Sequence, residues 1–327
     1  MLYLVHAFAE KPGQGNKAGV VLLDPDSGMS PQQMQRMAFE AGYSETAFVT
    51  KMGEEDFKIR FYTPTEEIAL CGHASIAAAA LLKKKGLLTK DHCVLHTLHE
   101  RVDILIEGDL FWLKIGEPVI KYELSDSYVA ALCRAYGLEP SDLPEGLRPV
   151  VVDVGIPDIQ FPVKSHEALM KAVQNTEAVN DITTRLDTVG VHMFYVPGYE
   201  GKSDSCSEPV PEQEPTGDCC GSAALGQDNI RAYCSNYAPR YGIDEESATG
   251  TANAGLTYYL YRKNIIRPGE TNCILQGEHM GNPSKVYSKV DTAGPSGATR
   301  ESGTTGGTCT SGSVITIRIG GRALIEL

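Results

Sequence analysis

"CGHASIAAAALLKKKG", residues 71–86, decides how this chain is read. Ile76 to Leu82 are apolar on every side of a helix, so the segment belongs inside a domain, with Lys83, Lys84 and Lys85 closing it. It opens, however, on Gly72 and His73. A buried helix start leaves backbone N–H groups without partners, and their summed dipole attracts an anion. Gly72 lets a ligand come close to that backbone. His73 sits in the first turn, where the positive helix end disfavours the imidazolium; the expectation is a neutral ring able to donate or accept a proton near neutral pH.

A second segment repeats the order. "FYTPTEEIALCGHASIAAAALLKKK" (61–85) and "NYAPRYGIDEESATGTANAGLTYYLYRK" (236–263) share Tyr-x-Pro, a short acidic loop, x-Gly-x-Ala and a long helix ending in Lys or Arg. The correspondence predicts two similar domains, each around one central helix, the second helix covering Ala252 to Leu260 with Gly250 at its start. Either glycine alone reads as a tight-turn residue capped by its neighbours. Together they predict two helix N-termini flanking one cleft and holding a carboxylate.

Around these helices the chain reads mostly as strand. "LYLVHAF" and "AGVVLL" are strands near the start; Ser30 as N-cap, Pro31 at the first helical position and Gly42 as a stop bound a helix; "ETAFVT", "FKIRFYT" and "HCVLHTL" follow as strands. "RVDILIEGDLFWLKI" is a hairpin turning at Gly108-Asp109. Past "GEPVIKYE" come helices at about 127–136 and 166–174 around the apolar run "RPVVVDVGIPDIQFPV", then strands "VHMFYVPG" and "VITIRIGG". The expected division is 1–118 and 119–327, with the final strand returning to the first domain. Residues 201–227 and 292–313, rich in Ser, Glu, Pro, Thr and Gly, read as solvated excursions.

With 327 residues, 42% of them hydrophobic, the chain has ample material for a core. A formal charge of −13 opposes nucleic acid and anionic membranes as partners. No run of 18 apolar residues predicts a membrane span, and the first residues lack the basic and apolar regions of a secretion signal, so the expected location is cytoplasmic. Nine scattered cysteines without a CxxC pair predict neither a disulfide framework nor a structural zinc site, and only Cys71 stands where chemistry is expected. "GQGNKAG" (13–19) mimics a phosphate loop but lies between strands without the GxGxxG spacing; its Asn16 can still reach a ligand.

Two acidic positions complete the candidates. Glu45, in "GYSETAFVT", is either a solvated strand-entry carboxylate or a general acid and base whose pKa burial raises. Glu245 and Glu246, just ahead of the second helix, would ordinarily only favour its dipole.

"GNKAGVVL", "GYSETAFV", "FYTPTEEIALCGHAS", "YAPRYGIDEESATGTA", "QGEHMGNPSK" and "IRIGGRA" resemble, in order, the motifs of the PhzF-like family of phenazine-biosynthesis isomerases. The resemblance implies an α+β, diaminopimelate-epimerase-like fold of two pseudo-symmetric domains, each a barrel-like sheet around a central helix, with the site between them. It implies a homodimer, no cofactor and no metal, and a small-molecule substrate bearing a carboxylate. The family's proton-shuttling glutamate matches Glu45, its Gly-His pair Gly72-His73 and its loop asparagine Asn16. Its aspartate and Gly-Ser match Glu246 and Gly250-Thr251, so this chain carries one more methylene on the acid and one more methyl on the hydroxyl. Epimerases of this fold use two thiols; Cys71 matches the first, but Thr249 stands at the second and is too weak a base unassisted. The expected activity is therefore a one-base proton shift by Glu45, assisted by His73 and Glu246, with Asn16, Gly72, Gly250 and Thr251 binding substrate. The alternatives are an epimerase or racemase using Cys71, or a non-catalytic binding protein on the same scaffold.

Overall fold

The computed structural model of the chain describes residues 1–199, 229–293 and 314–326. Its first part runs β1 (Leu2–Ala7), β2 (Asn16–Leu23), α1 (Pro31–Ala41), β3 (Glu45–Lys51), β4 (Asp56–Tyr62), β5 (Glu67–Ile68), α2 (Gly72–Lys84), β6 (His92–His96), β7 (Arg101–Glu107) and β8 (Leu110–Ile115). The second runs β9 (Val119–Glu123), α3 (Asp126–Ala135), β10 (Val150–Asp153), β11 (Pro157–Pro162), α4 (His166–Lys171), α5 (Thr176–Leu186), β12 (Val191–Tyr195), β13 (Ile230–Ala238), β14 (Ile243–Glu246), α6 (Gly250–Arg262), β15 (Asn272–Gln276), β16 (Ser284–Ala293), β17 (Val314–Gly321) and β18 (Ala323–Glu326).

The strand pairings repeat. β2 pairs parallel with β3, β3 antiparallel with β4, β4 parallel with β6, and β6, β7 and β8 form an antiparallel meander. In the same order, β11 pairs parallel with β12, β12 antiparallel with β13, β13 parallel with β15, and β15, β16 and β17 form an antiparallel meander. The closing strands are exchanged: β9 pairs with β10 of the second part, and β18 pairs with β1 of the first.

Each repeat of the continuous sheet wraps one helix. In α2 every residue from His73 to Leu82 is buried, and in α6 every residue from Ala252 to Leu260. Four consecutive alanines, Ala77 to Ala80, let β1, β2, β3 and β8 approach α2 closely, while Ile76, Leu81 and Leu82 fill the remaining space at about 1.5–3 kcal/mol each. Ser30 caps α1 through a capping box, with Pro31 at its first residue and Gly42 left-handed after its last. The β7–β8 hairpin turns on Gly108-Asp109 with Gly108 at φ 65°.

Three expectations change. The helix expected at 166–174 ends at Lys171, because Ala172 is extended (φ −64°, ψ 125°). A further helix, α5, begins at Thr176, capped by the Asn175 side chain; its Asn-cap signal went unread. β16 continues to Ala293, two residues into the second polar stretch. The excursions at 201–227 and 294–313 otherwise lie outside the described residues.

The seam between the parts is the antiparallel pairing of β8 with β17, which sets Leu113 opposite Ile319 and Trp112 opposite Gly320. A Cβ on Gly320 would lie 2.5 Å from Trp112 Cε3, so the buried indole occupies space only a glycine leaves. Lys289 and Arg318 stand 5.2 and 5.8 Å from its ring centre. Gly320→Ala is expected to destabilise the chain by about 1–3 kcal/mol through overpacking, read as a lowered urea midpoint at unchanged slope.

Candidate functional site

The seam also positions the helix starts. A Cβ on Gly72 would meet Leu113 Cδ2 at 3.4 Å and one on Gly250 would meet Ile319 Cγ2 at 3.8 Å. Because Leu113 and Ile319 are direct ladder partners, α2 and α6 begin side by side on facing residues of one strand pair. Neither glycine has a positive φ and neither Cβ contact is closer than ordinary packing, so the surrounding protein does not require glycine at either place.

Both helices also start without a side-chain cap, at Cys71 and Thr249, whereas Ser30, Ser165 and Asn175 cap α1, α4 and α5. The Thr249 hydroxyl is directed elsewhere, donating to Glu246 Oε2. The first N–H groups of two buried helices therefore lie close together without a side-chain cap, an arrangement that favours negative charge.

Strand ends deliver the polar side chains. Glu45 is the first residue of β3, and its Oε2 lies 3.0 Å from His73 Nε2. Asn16, first residue of β2, donates from Nδ2 to Glu246 Oε1 at 2.6 Å and to the Ala248 carbonyl at 3.2 Å. Its Nδ2 is also 3.4 Å from His73 Nδ1, which stands 3.5 Å from Cys71 Sγ. Glu246 ends β14, four residues before Gly250 opens α6. Thr251 is the second residue of α6, as His73 is of α2. Glu45, His73, Asn16 and Glu246 thus form one contiguous cluster at the two glycine-led helix starts. Glu245 points away, its Oε1 lying 3.7 Å from His279 Nδ1.

The loop carrying Asn16 is clasped to the second part of the chain. Gly15 N–H donates to Ser284 Oγ, and its carbonyl accepts from Ser247 Oγ and Asn282 Nδ2. At φ 82°, with a Cβ position 2.4 Å from the Ala7 carbonyl, Gly15 admits no side chain. The glycines that mimic a phosphate loop therefore serve a tight turn.

Charges within the cluster differ from the sequence expectation on two counts. Burial acts to raise the Glu45 pKa, but His73 beside it and the Ser44 hydroxyl outweigh burial and hold the carboxyl below its ordinary range. Burial likewise acts against the His73 imidazolium, yet the Cys71 sulfur and the Glu45 carboxylate raise its pKa well above the ordinary value. A carboxylate 3.0 Å away thus outweighs the helix dipole, and the proton rests on His73 rather than Glu45. Glu246 shifts the other way: burial raises its pKa against His73 and Thr249, and the Glu45 charge adds to the rise. Burial also pushes the Cys71 thiol up.

Sequence reasoning missed the support behind Glu246. Gln276, last residue of β15 and fully buried, donates from Nε2 to the Glu246 carbonyl at 2.6 Å and to Thr249 Oγ1 at 3.1 Å. Its Oε1 accepts from Thr249 N–H and from Asn253 Nδ2. Asn253, an amide inside a mostly apolar buried helix, was the available signal, since such a group requires partners.

The stability carried by the Glu45–His73 pair depends on pH with a definite sign. A lowered Glu45 pKa contributes stability above the unfolded value of about 4.3 and loses it as pH falls; a raised His73 pKa contributes below about 6.5 and loses it as pH rises. The difference in unfolding free energy between the native chain and Glu45→Gln is therefore expected to peak at about pH 5–6.5 and shrink on both sides. Urea titrations across pH 4–9 check it.

The chain matches the model of the phenazine biosynthesis-like (PhzC-PhzF) family over residues 5–309. It is 30% identical over 296 residues to the uncharacterized isomerase YfhB of Bacillus subtilis, covering 88% of this chain and 89% of that one. It is 29% identical over 298 residues to trans-2,3-dihydro-3-hydroxyanthranilate isomerase of Pseudomonas aeruginosa, covering 89% and 90%. Among solved structures, a Bacillus anthracis phenazine biosynthesis protein of the PhzF family superposes with a TM-score of 0.77 at 22% identity, covering 100% of this chain and 96% of that one. A hydroxyproline epimerase from Agrobacterium vitis, solved with trans-4-hydroxy-L-proline, superposes with a TM-score of 0.53 at 13% identity, covering 100% and 90%. The fold is thus the α+β, diaminopimelate-epimerase-like one. By a family match over nearly its whole length, the chain belongs to the phenazine biosynthesis-like (PhzC-PhzF) family.

Proposed function

We propose that this chain is a cofactor-independent isomerase that moves a proton between two carbons of a small, carboxylate-bearing metabolite, with Glu45 as the acid and base. The observation that carries the reading is the placement of a partly exposed Glu45 carboxylate, ion-paired to His73, at the start of a buried helix led by a glycine the packing does not require. The relative named trans-2,3-dihydro-3-hydroxyanthranilate isomerase supports the reaction class.

The substrate carboxylate accepts from the free N–H groups at Gly72 and Gly250, with Asn16 and Thr251 completing its pocket. Glu45 takes a proton from a carbon whose electron pair is delocalised by conjugation, exchanges it with solvent and returns a proton to another carbon on the same face. A resting Glu45 with a lowered pKa is a weak base. A substrate anion beside it and the loss of water raise its proton affinity when the site fills. His73 keeps Glu45 ionised until then, and Glu246 offers polar groups of the substrate a carboxyl whose pKa burial raises. Thiol-based racemisation fits less well: the Cys71 thiol is pushed up by burial, and Thr249, at the position of the second thiol, is committed to Glu246. Homodimeric assembly and a cytoplasmic location belong to the same reading; no described helix is long and apolar enough to cross a membrane.

Solvent-deuterium incorporation into a panel of unsaturated cyclic carboxylic acids, read by NMR, tests the reaction. Glu45→Gln is expected to lose about 10²–10⁴-fold in exchange, while Cys71→Ser stays within about tenfold of the native rate. The reverse pattern selects a thiol-based racemase. Absence of exchange with every acid selects a binding protein. In light scattering the native chain is expected at twice its own mass.

A further inference from the structure

Glu246 accepts a hydrogen bond on each carboxyl oxygen, and backbone groups fix the direction of both. Asn16 Nδ2 donates to the Ala248 carbonyl as well as to Glu246 Oε1; a carbonyl only accepts, so the Asn16 amide cannot be turned end for end. The second bond runs from the Thr249 hydroxyl to Glu246 Oε2. A hydroxyl rotates and has one proton, so its surroundings decide where that proton points. Here Gln276 decides. Its Nε2 lies 3.1 Å from Thr249 Oγ1 and 2.6 Å from the Glu246 carbonyl oxygen, while its Oε1 lies 3.2 Å from the Thr249 backbone nitrogen and 2.7 Å from Asn253 Nδ2. The carbonyl requires the nitrogen end of the amide and the N–H requires the oxygen end. Asn253 agrees with this order, because its Nδ2 also donates to the Thr249 carbonyl at 2.8 Å. With an amide donor already aimed at its oxygen, the Thr249 hydroxyl turns its proton to Glu246.

We propose that Gln276 is a positioning residue for Glu246: by fixing the direction of the Thr249 hydroxyl, it keeps the Glu246 carboxyl an acceptor of hydrogen bonds in the site. Gln276 and Asn253 are fully buried, so water does not compensate for a misdirected amide. A reversed Gln276 would set oxygen against the Glu246 carbonyl and nitrogen against the Thr249 N–H, two like pairs in an enclosed space. A proton on Glu246 Oε2 would likewise place a donor against the Thr249 hydroxyl. The charges around Glu246 do not settle the matter by themselves. Burial pushes its pKa up and the Glu45 charge adds to the rise, while His73 on α2, the Thr249 hydroxyl and the Asn16 amide act against it. Asp158 on β11 also feels Glu246; its own pKa is pushed up to about 7, by burial first and by the Glu246 charge in part. Gln276 carries no charge and acts on this balance only through the hydroxyl it directs.

The assignment deepens the isomerase reading, on which the part of Glu246 in turnover rests, but its test needs no substrate. The full-length chain is labelled with ¹³C at the glutamate carboxyl carbons and titrated by NMR, with Glu246→Gln identifying the Glu246 signal. Thr249→Val keeps the shape and removes the hydroxyl; it is expected to raise the Glu246 pKa by about one unit, tenfold in proton affinity, while Thr249→Ser leaves it within about 0.3 unit. Gln276→Met, and the smaller Gln276→Asn that withdraws its amide from Thr249, are expected to raise it by a similar amount. Combined with Thr249→Val, either Gln276 substitution is expected to add nothing further, because both act through one hydroxyl. An unmoved Glu246 signal in Thr249→Val overturns the proposal whether or not the Gln276 variants fold. So does a rise in folded Gln276→Met that persists undiminished on top of Thr249→Val. In the native chain the side-chain amide protons of Gln276 are expected to shift in step with the Glu246 titration; amide protons that ignore it overturn the proposal even where neither Gln276 variant folds. In the deuterium-exchange assay the Gln276 variants are expected to move the limb of the pH profile set by Glu246, and absence of exchange from the native chain speaks against the isomerase reading alone.

Discussion

A helix buried on all sides cannot give its first N–H groups to water, and the antiparallel ladder between β8 and β17 decides where those groups are left. Leu113 and Ile319 face each other across that ladder, each beneath the glycine that begins a central helix. The strand pair is therefore both the seam of the molecule and the floor of its polar cluster. The polar cluster lies where two helix starts converge, and the residues that could have capped them, Cys71 and Thr249, do not. Among the described α-helices these two are the most deeply buried, so their missing caps fall where water is least able to compensate.

The cluster is balanced by unlike shifts rather than by solvent. Glu45 and Glu246 both lie near His73, yet the imidazolium serves only the first strongly; the second rises under burial and the neighbouring charge. Two carboxyls in one enclosed space thereby rest in different protonation preferences, the condition for dividing acid and base work between them. Asn16 holds this arrangement by spending its two amide hydrogens on Glu246 and the Ala248 carbonyl. Its own position depends on the Gly15 turn and on Ser247, Asn282 and Ser284 of the other half. Glu45 comes from one half and Glu246 from the other, so the cluster exists only in the joined molecule.

Much of this was legible in the residues. The all-round apolar run at Ile76–Leu82 and the mostly apolar one at Ala252–Leu260 read as buried helices, and the shared Tyr-x-Pro to x-Gly-x-Ala order exposed the repetition that the strand pairings display. Local signals placed α1 to the residue, because its cap, proline and terminal glycine act within one turn. The protonation of Glu45 and His73 was not legible: each was judged in isolation, by burial and by helix dipole, whereas the term that wins is their mutual contact across 28 positions of sequence. Gln276 was hidden for the same reason, since its four hydrogen bonds join β15 to β14 and α6, a relation set by topology and not by spacing.

The exchanged closing strands bear on how the molecule is made. β1 acquires its outer neighbour only from residues 323–326, and β10 finds one in 119–123, synthesised before any other strand of its half. During synthesis the leading half is left with an unpaired edge at β1 while the whole trailing half emerges. The first half is therefore not closed by its own strands, and a fragment cut between β8 and β9 would carry an open hydrogen-bonding edge of the kind that recruits foreign strands.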